Sequence, residues 1–181
     1  FGRLGDDTLD GQGGADVLKG GAGNDGLVFN PGDLIVDGGD GVDSLLIDSD
    51  LLLGEPIDLT LAPNLVPLGN LERLNMANGH ADTLNLNIED LVSMVGDNSL
   101  DAFLPDGNTK MFIEGDASDT VILNGQDLGN IVGGSLLGGV TSDFVATDVL
   151  GDGEFYIKFV DSTTFIDLYV HTSLVDPDPI T

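Results

Sequence analysis

Residues 2–46 decide the fold: GRLGDDTLD (2–10), GQGGADVLK (11–19), GGAGNDGLV (20–28), FNPGDLIVD (29–37) and GGDGVDSLL (38–46). Cut into nines, the stretch falls into columns. The fourth column is Gly5, Gly14, Gly23, Gly32 and Gly41. The eighth is Leu9, Leu18, Leu27, Val36 and Leu45. The sixth is Asp7, Asp16, Asp25, Leu34 and Asp43. Repetition at a fixed short period is the mark of a solenoid. The aliphatic column supplies an internal ladder, the glycines allow tight turns, and the aspartates set one carboxylate at each turn. FNPGDLIVD keeps the ladder residue and the glycine but loses the acid at its sixth position, so it reads as a turn that has kept the core and lost a metal loop.

Outward from this stretch, the composition agrees. The chain has 181 residues, 32 acids against 5 Lys and Arg, and a net charge of −27. Such a polyanion repels nucleic acid and anionic membrane, and cations are its natural partners. Only Glu55, Glu72, Glu89, Glu114 and Glu154 are glutamates; the remaining acids are Asp, equal in number to the 27 Gly. Asp beside Gly is loop chemistry with hard oxygen ligands, which suits calcium better than the strict octahedron of magnesium. The absence of Cys removes disulfides and thiolate metal sites, and the two histidines, His80 and His171, read as ordinary surface or strand residues. An EF-hand does not fit, because Asp148–Glu154 has the wrong spacing. No apolar run has transmembrane length, no signal peptide opens the chain, and a start at Phe1 reads as a fragment of something longer.

After residue 50 the period fades. Strand-like runs are Ser44–Asp48, Ile57–Leu61, Leu71–Met76, Thr83–Ile88, Thr109–Ile113 and Thr120–Leu123. Ile88–Val95 suits one short helix with Asn87 as its cap. Glu154–Val160 and Thr163–Val170 read as a hairpin, with Phe155, Ile157 and Phe159 on one face of the first arm and Ile166, Leu168 and Val170 on one face of the second. The glycine-punctuated stretch 129–140 reads as turns, and the DPDPIT tail as extended. NGHADTLNL (78–86) and GDASDTVIL (115–123) echo the repeat around Asp82 and Asp119, but without the glycine pattern they read as structural turns. The expected class is all-β: a short metal-stapled solenoid over residues 1–50, then a β-rich capping domain over 51–181 with at most one short helix.

The nonapeptide resembles the RTX repeat, G-G-x-G-x-D-x-U-x with U aliphatic; GGAGNDGLV and GGDGVDSLL match it best, while Arg3 and Gln12 replace the second glycine in the first two units. The resemblance implies a parallel β-roll in which two nonapeptides make one turn and calcium sits between loops 18 residues apart. Asp7, Asp25 and Asp43 then share one edge, with one ion between Asp7 and Asp25 and another between Asp25 and Asp43. Carbonyls of Gly20, Ala22, Gly23, Gly38, Asp40 and Gly41 are the implied further ligands. Asp16 falls on the other edge, opposite Leu34, so any ion there is expected to be weaker.

No catalytic motif is present: there is no Ser elbow, zinc-protease helix, P-loop or dinucleotide fingerprint. The expectation is a non-enzymatic, calcium-dependently folding module. LGNLERLNM (68–76), HADTLNLNIEDLVSM (80–94) and FIEGDASDTVILNG (112–125) look like segments near the C-termini of large RTX adhesins and biofilm proteins. The resemblance implies a secreted or cell-surface bacterial protein, exported by type I secretion and contacting a host or biofilm ligand without inserting into membrane. Two alternatives stand beside it: the noncatalytic calcium domain of a secreted RTX protease or lipase, and a ligand-binding β-domain in 51–181.

Overall fold

The computed structural model describes residues 1–47, 56–59, 67–96, 109–123, 126–127, 141–142, 156–161 and 166–174. The hairpin connection at 162–165, the turns expected at 129–140 and the DPDPIT tail lie outside these residues, as does Asp148–Glu154.

From residue 8 on, each nonapeptide gives one short strand, because its aliphatic residues are soon interrupted by Gly and Asp. β1 (Arg3–Leu4), β3 (Val17–Ala22), β5 (Ile35–Asp40) and β8 (Leu68–Gly69) stack in parallel as one sheet. β2 (Thr8–Leu9), β4 (Gly26–Val28), β6 (Ser44–Leu46), β9 (Arg73–Asn75), β11 (Thr109–Glu114) and β16 (Ile166–His171) stack in parallel as a second. Antiparallel β15 (Tyr156–Asp161) and β14 (Thr141–Ser142) follow β16 in that sheet. A third sheet holds β7 (Ile57–Asp58), β10 (Thr83–Leu86) and β12 (Thr120–Leu123) in parallel, with β13 (Gln126–Asp127) antiparallel at its edge. The chain is strand-dominated, and its one α-helix among the described residues is α1 (Ile88–Met94). That helix is too short and polar to cross a membrane.

The aliphatic column forms the expected ladder, and it does not stop where the period fades. Leu9 pairs with Leu27, Leu27 with Leu45, Leu45 with Leu74, Leu74 with Ile113 and Ile113 with Val170. All but Leu9 are fully buried. Strands on both sides of residue 50 thus share one sheet. What changes is the step: 18 residues between Asp25 and Asp43, but 29 between Asp43 and Glu72. Each fully buried Leu or Val contributes about 1.5–3 kcal/mol, so the ladder selects this register over any one-residue slip, which would turn every side chain outward.

Some local expectations change. Ser44–Leu46, Arg73–Asn75 and Thr83–Leu86 are shorter than their expected runs, Thr109–Glu114 is one residue longer, and Thr120–Leu123 is as expected; the end of the run Ile57–Leu61 lies outside the described residues. Asn87 sits at the N-cap of α1, but its side chain makes no capping hydrogen bond. β15 and β16 pair as the expected hairpin. One-sided burial is not what β16 shows: Asp167, Leu168, Tyr169 and Val170 are all buried. On the outer face Tyr169 stacks on Phe112 with ring centroids 4.8 Å apart. Arg73 lies over the Phe112 ring and Lys158 over the Tyr169 ring, each at 5.6 Å, so cations close both ends of the aromatic pair.

Candidate metal centre

The turns at residues 5–7, 23–25, 41–43 and 70–72 carry the chain from the first sheet to the second and line up along one edge. Gly41 holds φ at 144°, and a Cβ there would strike the carbonyl oxygen of Gly23 in the coil before it. Only glycine permits this stacking distance.

Along the edge the acids form a ladder. The Asp7 amide donates to Oδ1 of Asp25 at 2.8 Å, and the Asp25 amide to Oδ1 of Asp43 at 2.7 Å. The Asp43 amide donates to Oε2 of Glu72 at 2.9 Å. One oxygen each of Asp25, Asp43 and Glu72 is thereby spent on joining coils. Oδ2 of Asp7, Asp25 and Asp43 is not: each is buried without a hydrogen-bond partner. Asp25 is 2 % exposed and Asp43 0 %. Burial pushes the Asp43 carboxyl up to about 6, opposed by the hydrogen bond from Asp25 and reinforced by the charges of Asp25, Asp37 and Asp40.

The unpartnered oxygens face backbone carbonyls. A Cβ placed on Gly2 would lie 2.5 Å from Asp7 Oδ2 and 2.6 Å from Gly20 O. One placed on Gly20 would be closer still to Asp25 Oδ2 and Gly38 O. Each glycine therefore leaves open a cradle walled by a carboxylate of one coil and a carbonyl of the next. Hard oxygens of both kinds are what calcium takes, at 2.3–2.6 Å. The donor set fits the ion: Asp7 with Gly20, and Asp25 with Gly38, would hold it, and it would supply the positive charge that the stacked carboxylates lack. Among the described residues no three His, Cys, Asp or Glu side chains converge on one point. Coordination here consequently depends on carbonyls and water as much as on acids.

The other proposed carbonyls are placed differently. Ala22 O accepts from the Gly5 amide at 2.7 Å, and Asp40 O from the Gly23 amide at 2.9 Å, so both already serve the coil contact. Gly23 O lies against Gly41 of the next coil.

Asp16 lies on the opposite edge, where its carbonyl accepts from the Leu34 amide at 2.7 Å. Leu34 is exposed and brings no carboxylate, as its identity requires. The residue before it is an acid. Asp33 is 5 % exposed, with neither carboxylate oxygen hydrogen-bonded. Burial pushes its carboxyl up, with the charges of Asp16 and Asp10 adding and the nearby amides of Asn30 and Asp16 opposing. Column reasoning missed Asp33 because it stands one place before the acid column. It missed Glu72 because a 29-residue step hides the rung.

Asp82 and Asp119 repeat the ladder without the open oxygen. The Asp82 amide donates to Asp119 Oδ1 at 3.0 Å. Here Asp119 Oδ2 accepts from the Asp116 amide at 2.7 Å, and Asp82 Oδ2 from Asn78 Nδ2 at 2.6 Å. Protein donors fill the role that the repeat edge leaves to a cation.

Residues 1–33 match the family model of the RTX calcium-binding nonapeptide repeat, in four copies. No curated protein and no solved structure matches the chain. Parallel coils, the aliphatic ladder and the carboxylate edge agree with that match, and the first part of this chain is an array of RTX calcium-binding repeats.

Proposed function

We propose that the chain is a non-enzymatic module of a secreted bacterial RTX adhesin, folded by calcium bound along the Asp7–Asp25–Asp43 edge. The observation that carries the reading is the buried, unpartnered Oδ2 of Asp25 and Asp43. A buried carboxylate without a counter-charge costs several kcal/mol. Without calcium, these two groups oppose stacking of the coils; with calcium, the binding free energy becomes folding free energy. Extracellular calcium modules bind at about 10⁻⁴–10⁻³ M. The repeats would stay open in a low-calcium cytosol during type I secretion and close outside the cell.

The later coils serve as the cap. A solenoid must cover its last exposed turn. The Met94 carbonyl at the end of α1 accepts from the Leu71 amide, which sets the helix beside β8, the last strand of the first sheet. The antiparallel strands β15 and β14 finish the second. The likeness of residues 68–76, 80–94 and 112–125 to segments of adhesin C-termini supports a cell-surface role, with a host or biofilm ligand as further partner.

Small-angle scattering in excess chelator and in millimolar calcium tests the reading. A compact chain of this length has a radius of gyration of about 16 Å and an unfolded one about 45 Å. The expected outcome is contraction on adding calcium and none on adding magnesium. Equal radii in chelator and calcium would contradict it.

A further inference from the structure

The acid ladder runs one coil beyond the repeat array. Glu72 accepts the Asp43 amide as Asp25 accepts that of Asp7, although residues 70–72 (Asn-Leu-Glu) follow no nonapeptide pattern and lie outside the matched segment. Asp43 is fully buried, and its Oδ2 has no hydrogen-bond partner. A Cβ on Gly38 would collide with that oxygen and with the main-chain oxygen of Asn70, just as one on Gly2 would collide with Asp7 Oδ2 and Gly20 O. Asn70 is held for this position: its φ is 52°, in the left-handed region that asparagine tolerates, and its Nδ2 donates to Asp37 Oδ1 at 2.7 Å.

We propose a third calcium site on the same edge, between Asp43 Oδ2 and the Asn70 carbonyl beside Gly38, with Glu72 as the acid of the next coil. The proposal rests on the calcium reading of the first two cradles and extends it into the non-repeat part of the chain. The turn here is shorter, since Glu72 follows Asn70 by two residues whereas Asp43 follows Gly38 by five. Fewer carbonyls are within reach, so this ion takes more water and binds more weakly than its neighbours. Its consequence is to tie the repeat coils to the following coil through an ion as well as through β6 and β9.

Crystals of the full chain grown in calcium, with anomalous differences measured at long wavelength, decide the matter. The expected map has three peaks along the edge, separated by about 4.8 Å, the spacing of neighbouring strands. Peaks in the Asp7 and Asp25 cradles with none between Asp43 and Asn70 would overturn this proposal alone. No peak in any cradle would overturn it together with the calcium reading beneath it.

Discussion

The backbone amide of Asp25 donates to Oδ1 of Asp43 across 2.7 Å, from a residue 18 positions earlier in the chain. Each coil is thus stitched to the next by the acid that carries the charge. The bond orients the carboxylate and leaves its second oxygen pointing into a cradle. Attraction through one oxygen and unrelieved charge on the other make the edge a device that a divalent cation completes.

Asp25→Asn separates these two roles. The amide oxygen still accepts from Asp7, while the charge is gone. In chelator the variant is expected to be at least as stable as the parent. In calcium it loses what the ion contributes, about 2.7 kcal/mol for a site held at a hundred times its Kd. Thermal melts of both proteins in calcium, and in chelator with a stabilising osmolyte that closes the calcium-free coils, check this.

The Asp43 carboxyl gives the calcium-free protein an inverted acid response. Its folded value of about 6 stands above the ordinary 3.8, so between these values the native state binds more protons than the unfolded one. The contribution of this group is fully present below the unfolded value and is lost as pH rises through about 6. In chelator, with a stabilising osmolyte holding the calcium-free coils closed, denaturant midpoints should fall between pH 4 and pH 7, and Asp43→Asn should flatten the trend.

Asp33→Asn removes a buried carboxylate whose two oxygens have no hydrogen-bond partner. The variant is expected to be more stable than the parent in chelator at pH 7, because a neutral amide avoids the desolvation that pushes this acid up. Urea denaturation in chelator, with the same osmolyte holding the coils closed, measures the difference.

Asp119→Ala should behave unlike any change at the repeat edge. Its carboxylate accepts from the amides of Asp82 and Asp116. Orphaning one such buried group costs about 1–3 kcal/mol. The loss should be equal in calcium and in chelator, since protein donors already fill this site. Paired melts in calcium and in osmolyte-supported chelator show whether it is.

Leu74 joins the repeat ladder to the later coils, pairing with Leu45 on one side and Ile113 on the other. Leu74→Ala is expected to cost about 2–5 kcal/mol. It should also raise the calcium concentration needed for folding, because the strands on both sides share its sheet. Calcium-dependent circular dichroism of the variant reads both effects.

The β-roll and its acid edge were legible because each column has one physical task. Leu27 and Leu45 must stack, Gly41 must admit a neighbouring carbonyl, and Asp7, Asp25 and Asp43 must recur at one step. The continuation was not legible. Leu74, Ile113 and Val170 occupy the same ladder, but steps of unequal length separate them, and a periodicity search sees only equal ones. Glu72 was hidden for that reason, and also because a longer acid stands where the pattern wants Asp. Asp33 was hidden by a shift of one residue. The open second oxygen, which separates Asp25 from Asp119, is a property of three-dimensional neighbours such as Asn78 and Asp116. No column contains it.

The central claim is that calcium closes the Asp7–Asp25–Asp43 ladder and so drives folding. Titration of calcium into chelator-stripped protein tests it most directly, following circular dichroism and heat together, with magnesium as control. The predicted result is a cooperative gain of β-structure with a matching heat, absent with magnesium and lost in Asp25→Ala. A protein already folded in chelator, to which calcium adds neither heat nor stability, would contradict it.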